Sequence, residues 1–295
     1  MSVVSSDSIV TVKDGVVVVV RSLLRTRLSE AEEHRQLADL YAIIVELSKL
    51  LSRDQFVVAS AMAILHKFFK FQSLVSYSSH LLFFATSSVF IAGKILYLPV
   101  SLERAVQALF SIEKRRNPSS MAKVTLTRDR VSHYREMLEK IEFEILQTIG
   151  FDFEMELPYR HLRSFCEKHV PIATRETLHQ LAFKFCNDSF KLPVCLYFHP
   201  KILAAACVQM AAKWRMNQGL DPGMPLRIEG HPWFKWIDSA IEQSQITEVV
   251  EFLRVLYKTK PEKAQQVPSQ QNVQISSNVQ ILFPLQSSKL LLQGP

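Results

Sequence analysis

Glycine is scarce in this chain of 295 residues, with only seven in all. So few glycines leave little material for a phosphate-cradling loop or for tight hairpins, and favour helix. Cysteine is equally sparse. Cys166, Cys186, Cys195 and Cys207 form no CxxC pair, and the nine histidines make no close ligand cluster with them, so the common zinc motifs are excluded. They read as reduced core thiols of a cytosolic or nuclear protein. Long apolar runs are missing too: the longest, Leu81 to Gly93, falls short of the roughly 20 residues a membrane span needs, and no bilayer crossing is expected. There is no HExxH, GxSxG or Walker-type loop. These absences argue against an enzyme and against any cofactor, and turn attention to a binding surface.

What is present describes a helical globular protein. Apolar residues make up 48% and charged residues 21%, and the length allows two domains with cores of their own. A net charge of +7 suits acidic partners, whether protein, nucleic acid or a phosphorylated tail, without choosing among them. The sequon Asn187-Asp188-Ser189 falls in a helical run and reads as accidental.

Residues 1 to 33 read as an N-terminal arm. Its run Val16 to Val20, ended by Arg21, reads as part of a poorly ordered terminus, with a short strand or an extended arm lying on a partner as the alternatives. Helical signals begin with a capping box at Ser29-Glu30-Ala31-Glu32, followed by Leu37, Leu40, Tyr41, Ile44, Leu47 and Leu51 at helical spacing. Ser52-Arg53-Asp54-Gln55 reads as a second capping box for a helix to Phe69; a third helix is expected over Ser79 to Lys94, and a fourth, capped by Ser101, through Phe110. Segment 111 to 130 reads as a loop carrying Lys114, Arg115, Arg116, Lys123, Arg128 and Arg130 against only Glu113 and Asp129. A long helix from about Arg130 to Ile149 ends at Gly150. Further helices are expected from Pro158 to Lys168, from a Thr174 cap to Phe190, from Pro200 to near Met216, and from Thr247 to Tyr257. Beyond Pro261 periodicity disappears, so 261 to 295 reads as a disordered tail.

Two of these helices look like copies. Ser87-Ser88-Val89-Phe90-Ile91-Ala92-Gly93-Lys94 and Ala205-Ala206-Cys207-Val208-Gln209-Met210-Ala211-Ala212-Lys213 are both apolar, rich in small residues, and closed by a lysine. Small residues three and four apart let neighbours pack close around a central helix. The pair suggests two tandem bundles of roughly 110 residues each.

One residue breaks its pattern. Leu138, Ile141, Ile145, Leu146 and Ile149 define an apolar stripe, and Glu142 falls inside it. An unpaired carboxylate buried there would cost several kcal/mol, so Glu142 demands a partner. Lys94, at a helix end beside Phe83 and Phe90, is the natural one. Such a pair suits either an internal salt bridge or a clamp on the backbone of a partner helix.

Taken in order, these features resemble a family. His66-Lys67-Phe68-Phe69, Leu146-Gln147-Thr148-Ile149-Gly150-Phe151, Glu156-Leu157-Pro158-Tyr159, Asn187-Asp188-Ser189, the Ala-rich helix after His199-Pro200, and His231-Pro232-Trp233-Phe234-Lys235-Trp236 are similar in order and spacing to the cyclins, above all the transcriptional T and K types. The resemblance implies an all-α fold of tandem cyclin boxes, two five-helix bundles, at 34–150 and 151–260. It implies a non-catalytic regulatory subunit that forms a heterodimer with a cyclin-dependent kinase. It further implies a nuclear protein linked indirectly to the RNA polymerase II machinery, with direct nucleic-acid binding not expected. By position, Lys94 and Glu142 match the family's kinase-contacting pair, and Ile95, Leu146, Phe151 and Phe153 match apolar positions around it. One departure stands out: family members commonly follow the lysine with a β-branched residue and two glutamates, whereas here Ile95-Leu96-Tyr97 follow. The competing reading is a TFIIB-like factor using cyclin repeats on promoter DNA. That would call for an N-terminal zinc ribbon, and residues 1 to 33 hold no cysteine.

Overall fold

The computed structural model describes residues 8–13, 16–21 and 30–257. The expected tail at 261–295 and Ser29 of the first capping box lie outside them.

In the N-terminal arm, β1 (Ser8–Lys13) pairs antiparallel with β2 (Val16–Arg21), Ile9 opposite Val20 and Lys13 opposite Val16. Of the three readings of the valine run, the strand is the one realised, because β-branched residues favour extended backbone once a second strand is available to pair.

Six helices follow: α1 (Glu30–Leu50), α2 (Gln55–Phe71), α3 (Leu81–Ile95), α4 (Leu102–Arg116), the single turn α5 (Pro118–Met121) and α6 (Arg128–Thr148). The α1 stripe behaves as its spacing predicts, with Leu37, Leu40, Ile44, Leu47 and Leu51 buried. At its end the expected second capping box is replaced. Ser52 takes a left-handed φ of 56° that closes α1, and Asp54 alone caps α2, its carboxylate accepting from the amides of Phe56 and Val57. Helix α3 is central, packed against α1, α2, α4 and α6. Its small residues let α6 approach until the Ser87 hydroxyl donates to the Leu138 carbonyl at 3.2 Å.

Burial of most of α3 accounts for a stretch, Val75–Ile95, that is apolar and long enough, by length and composition, to cross a membrane. The stretch is a 3-10 turn, Val75–His80, joined to α3, and most of α3 is buried by its neighbours. A helix apolar all round marks a core as readily as a span.

Around α9 (Pro200–Asn217) the rhythm repeats, with α7 (Tyr159–His169), α8 (Ile172–Ser189) and α10 (Gln243–Leu253) packed on it. The 3-10 turn Trp233–Trp236 stands as the fifth element, its Trp233 packed edge-on to Phe234 and tilted against Phe165. Helix α8 starts two residues before the expected Thr174 cap, because Pro171 with φ −53° already leads into it. Helix α10 starts at Gln243, where Glu242 and Gln245 form a reciprocal capping box, and ends at Leu253 before a 3-10 turn.

Some of the family-like motifs meet between the bundles. His66 Nε2 lies 2.9 Å from the Phe190 carbonyl, Phe56 packs edge-on to Tyr159, and Tyr159 donates to Asn187 Oδ1 at 2.9 Å. The sequon asparagine thus braces, from within the second bundle, the tyrosine that meets Phe56 of the first.

Candidate partner-binding site at Lys94 and Glu142

Two helix ends build the site. Helices α3 and α6 both close with the amide of a residue past the end bonding back five residues: Leu98 N–H to Gly93 O at 2.8 Å, and Phe151 N–H to Leu146 O at 3.0 Å. The α6 closure uses Gly150 at φ 62°, as expected from sequence; the α3 closure places Tyr97 at φ 57°.

Between these ends the predicted pair forms. Lys94 Nζ lies 2.6 Å from Glu142 Oε1 and 4.2 Å from the centre of the Phe90 ring. The carboxylate is sheltered, its side chain 15% exposed, while the lysine is half out in solvent at 50%. Such an arrangement is asymmetric: the glutamate is held by packing and the ammonium by the glutamate and an aromatic face. Of the other expected residues, Ile95, Leu146 and Phe153 are half-buried and packed on the core, and Phe151 is exposed with its ring edge-on to Phe153. Lys213, the counterpart of Lys94 in α9, is exposed and makes no ion pair among the described residues.

A lysine from α2 fixes the segment that carries both phenylalanines. Lys67 Nζ donates to Asp152 Oδ2 at 2.8 Å, to the Glu154 carbonyl at 2.8 Å and to the Asp152 carbonyl at 3.2 Å. The Lys67 hydrogen bond, helped by the Glu154 amide, holds the Asp152 carboxyl below the usual aspartate range. On the far side of α6, the Tyr77 phenol donates to Glu144 at 2.6 Å, and that bond with partial burial pushes the phenol up to about 12.

Two further aromatics face solvent, Phe143, next to Glu142 in the chain, and Tyr97, three residues after Lys94. Sequence reasoning missed Phe143, which could have been found as an aromatic off the apolar stripe, whereas Tyr97 stood out as part of the departure from the family pattern.

The basic segment is not a continuous loop. Helix α4 runs on to Arg116, since Ile112 extends its buried stripe, and Arg115 and Arg116 pair with Glu46 and Asp39 of α1 at 2.8 and 2.9 Å. Helix α6 likewise starts earlier, at Arg128, capped by the Thr127 hydroxyl. Among the described residues there is no cluster of histidine, cysteine and acids able to hold a metal. Cys166, Cys186 and Cys207 are buried as expected, Cys195 only partly, and burial pushes the Cys166 thiol up to about 12, leaving it inert.

Two bundles, each about a central small-residue helix, with a lysine in the last turn of α3 paired to a glutamate on α6, define a cyclin-type fold. The N-terminal domain of cyclins matches residues 19–154, and the Cyclin-T2-like C-terminal domain matches residues 161–255. The chain belongs to the cyclin family. Within it, the chain is similar to the T type: 24% identical over 223 residues to Cyclin-T of Drosophila melanogaster, 27% over 236 residues to Cyclin-T1-2 of Oryza sativa subsp. japonica, and 24% over 222 residues to Cyclin-T1 of Homo sapiens. These matches take in 74%, 77% and 74% of this chain but 18%, 32% and 28% of the relatives, so the chain spans less than a third of their length. In fold it is similar to a chain of the CAK complex from Chaetomium thermophilum (TM-score 0.52, 14% identity, 78% of this chain and 64% of that one). It is likewise similar to a chain of the yeast TFIIK complex (TM-score 0.51, 15% identity, 76% and 87%).

Proposed function

We propose that this chain is a cyclin regulatory subunit, itself non-catalytic, that binds and activates a cyclin-dependent kinase acting on the RNA polymerase II C-terminal repeats. The reading includes a first box at 34–150, a second at 151–260, action in the nucleus, and no direct nucleic-acid contact. The observation that carries it is the pre-formed Lys94–Glu142 pair at 2.6 Å, its lysine half out in solvent and its glutamate sheltered.

The geometry suits a helix clamp. Lys94 spends one ammonium proton on Glu142 Oε1 and turns its stem over Phe90, leaving donor capacity toward solvent. Glu142 keeps its second carboxylate oxygen as an acceptor. Lysine to carbonyls and glutamate from amides would grip the backbone of a partner helix whatever its side chains, with Leu146, Phe151, Phe153 and Ile95 supplying apolar contact. Pressed on a kinase αC helix, such a clamp would swing the kinase's own glutamate into its lysine–glutamate pair and open the activation segment. The fold similarity to chains of kinase assemblies and the T-type sequence similarity support this choice of partner.

Tagged chain purified from cells and analysed by mass spectrometry is expected to bring down one cyclin-dependent kinase, active on C-terminal-repeat peptides. Glu142→Ala should reduce both recovery and activity. Recovery of no kinase, with associations unchanged by Glu142→Ala, would overturn the reading.

A further inference from the structure

Tyr97 is the most exposed large hydrophobic side chain among the described residues, at 92%, and it sits in left-handed backbone at φ 57°. Its backbone is fixed. The Tyr97 amide bonds Lys94 O at 3.3 Å, the Leu98 amide bonds Gly93 O at 2.8 Å, and the Leu98 carbonyl in turn accepts from Arg53 at 3.3 Å. Glycine is the residue that adopts this position without strain, and asparagine the next. The same closure uses Gly150 after α6 and Gly219 after α9, while the short polar Ser52 takes it after α1 and Phe151, next to Gly150, is left-handed as well at φ 56°. After α3 it uses a tyrosine, which strains the backbone and leaves a large aromatic in water. Neither folding nor packing gains from this choice. The side chain also stands three residues from Lys94 in the chain, and Phe143 and Phe151, which follow Glu142 in sequence, are exposed too.

We infer that Tyr97 is a specificity anchor that inserts into the kinase beside the Lys94–Glu142 clamp, and so selects which kinase this chain accepts. The inference rests on the kinase-binding reading above. A rigidly held tyrosine suits an apolar socket with a hydrogen-bonding partner for the phenol at its base, and tyrosines are enriched among residues that dominate binding energy. The turn carries no acid, with Ile95, Leu96 and Leu98 around it, so a basic patch is the wrong complement and a neutral, apolar surface the right one.

The test uses the kinase subunit that co-purifies with the tagged chain, expressed alone, and measures its affinity for the wild type, Tyr97→Gly, Tyr97→Asn and Glu142→Ala, with melting of each free chain. Both Tyr97 variants are compatible with left-handed backbone. They should melt at or above the wild-type temperature yet bind at least about tenfold more weakly. Unchanged affinity in both, with binding lost in Glu142→Ala, would overturn the anchor and leave the clamp standing; weakened binding accompanied by lower melting in both would also count against the anchor. Affinity unchanged in Glu142→Ala as well would sink the kinase-binding reading itself.

Discussion

The imidazole of His66 in α2 sits 2.9 Å from the carbonyl of Phe190, just past the end of α8, joining residues 124 apart in the chain. Both residues are buried, with the Phe190 ring among the largest fully enclosed side chains. The Phe190 carbonyl is therefore cut off from water, and the imidazole serves it at the seam between the bundles. His66→Ala should cost about 1–3 kcal/mol, the desolvation penalty of a stranded acceptor, with a further contribution from the cavity. Urea unfolding gives the value directly. A loss below about 0.5 kcal/mol would mean the seam is held by packing alone.

Acid should loosen the segment that presents Phe151 and Phe153. The Asp152 carboxyl titrates below the ordinary aspartate value because Lys67 and the Glu154 amide hydrogen-bond its charged form. A depressed folded value means the contribution is fully present above the unfolded aspartate range, near pH 4, and is lost as pH falls through the lower folded value. Asp152 is more than half exposed, so solvent screens the interaction and its energy is small. In Lys67→Met the stability curve below about pH 4 should be flatter than in the wild type, and kinase affinity should fall at neutral pH as the two phenylalanines lose their anchor. An unaltered affinity would show that residues 151–154 hold their position without Lys67.

Gly93→Ala sets two effects against each other. Within an α-helix, replacing glycine by alanine gains up to about 1 kcal/mol. Here the added methyl would stand 2.8 Å from the Leu98 carbonyl oxygen, a backbone atom held by the turn that closes α3. The clash should win, with a net loss of about 1–3 kcal/mol and displacement of Lys94. Thermal melting measures the first, kinase affinity the second. A stabilised Gly93→Ala chain would show the turn to be more pliant than its hydrogen bonds indicate.

Much of this was legible from residue order, and the limits have physical causes. The helical spacing of Leu37, Leu40, Ile44, Leu47 and Leu51 names the buried face of α1, and Glu142 betrays its need for a cation because it stands in an apolar stripe. Ser52 and Asp54 are both good caps, so sequence leaves the choice open; the left-handed turn ending α1 removes Ser52. The cations Arg115 and Arg116 read as loop residues because their acids, Glu46 and Asp39, lie on a helix distant in sequence. The pairing of Val16–Arg21 with Ser8–Lys13 was available in the Asp14-Gly15 pair between them, a common hairpin connection. Tyr97 stood out as a departure from the family pattern, but nothing in its identity announces a left-handed backbone.

The Lys94–Glu142 pair could be a strut inside the cyclin or a grip on its partner, and a charge reversal separates the two. Removing one member confounds them, because it frees a sheltered charge and deletes a contact at once. In the double variant Lys94→Glu with Glu142→Lys, opposite charges still face each other, so an internal strut survives; a partly exposed pair is worth only about 0–1 kcal/mol, and melting should change little. A partner helix reads polarity and position: carbonyls that met an ammonium now meet a carboxylate, and amides that met a carboxylate now meet an ammonium. Kinase affinity should therefore fall by at least about 10-fold in the double variant, as in each single one, despite retained stability. Restoration of binding by the second substitution would show that the pair only braces α3 against α6, and would move the partner contact to the aromatics around it.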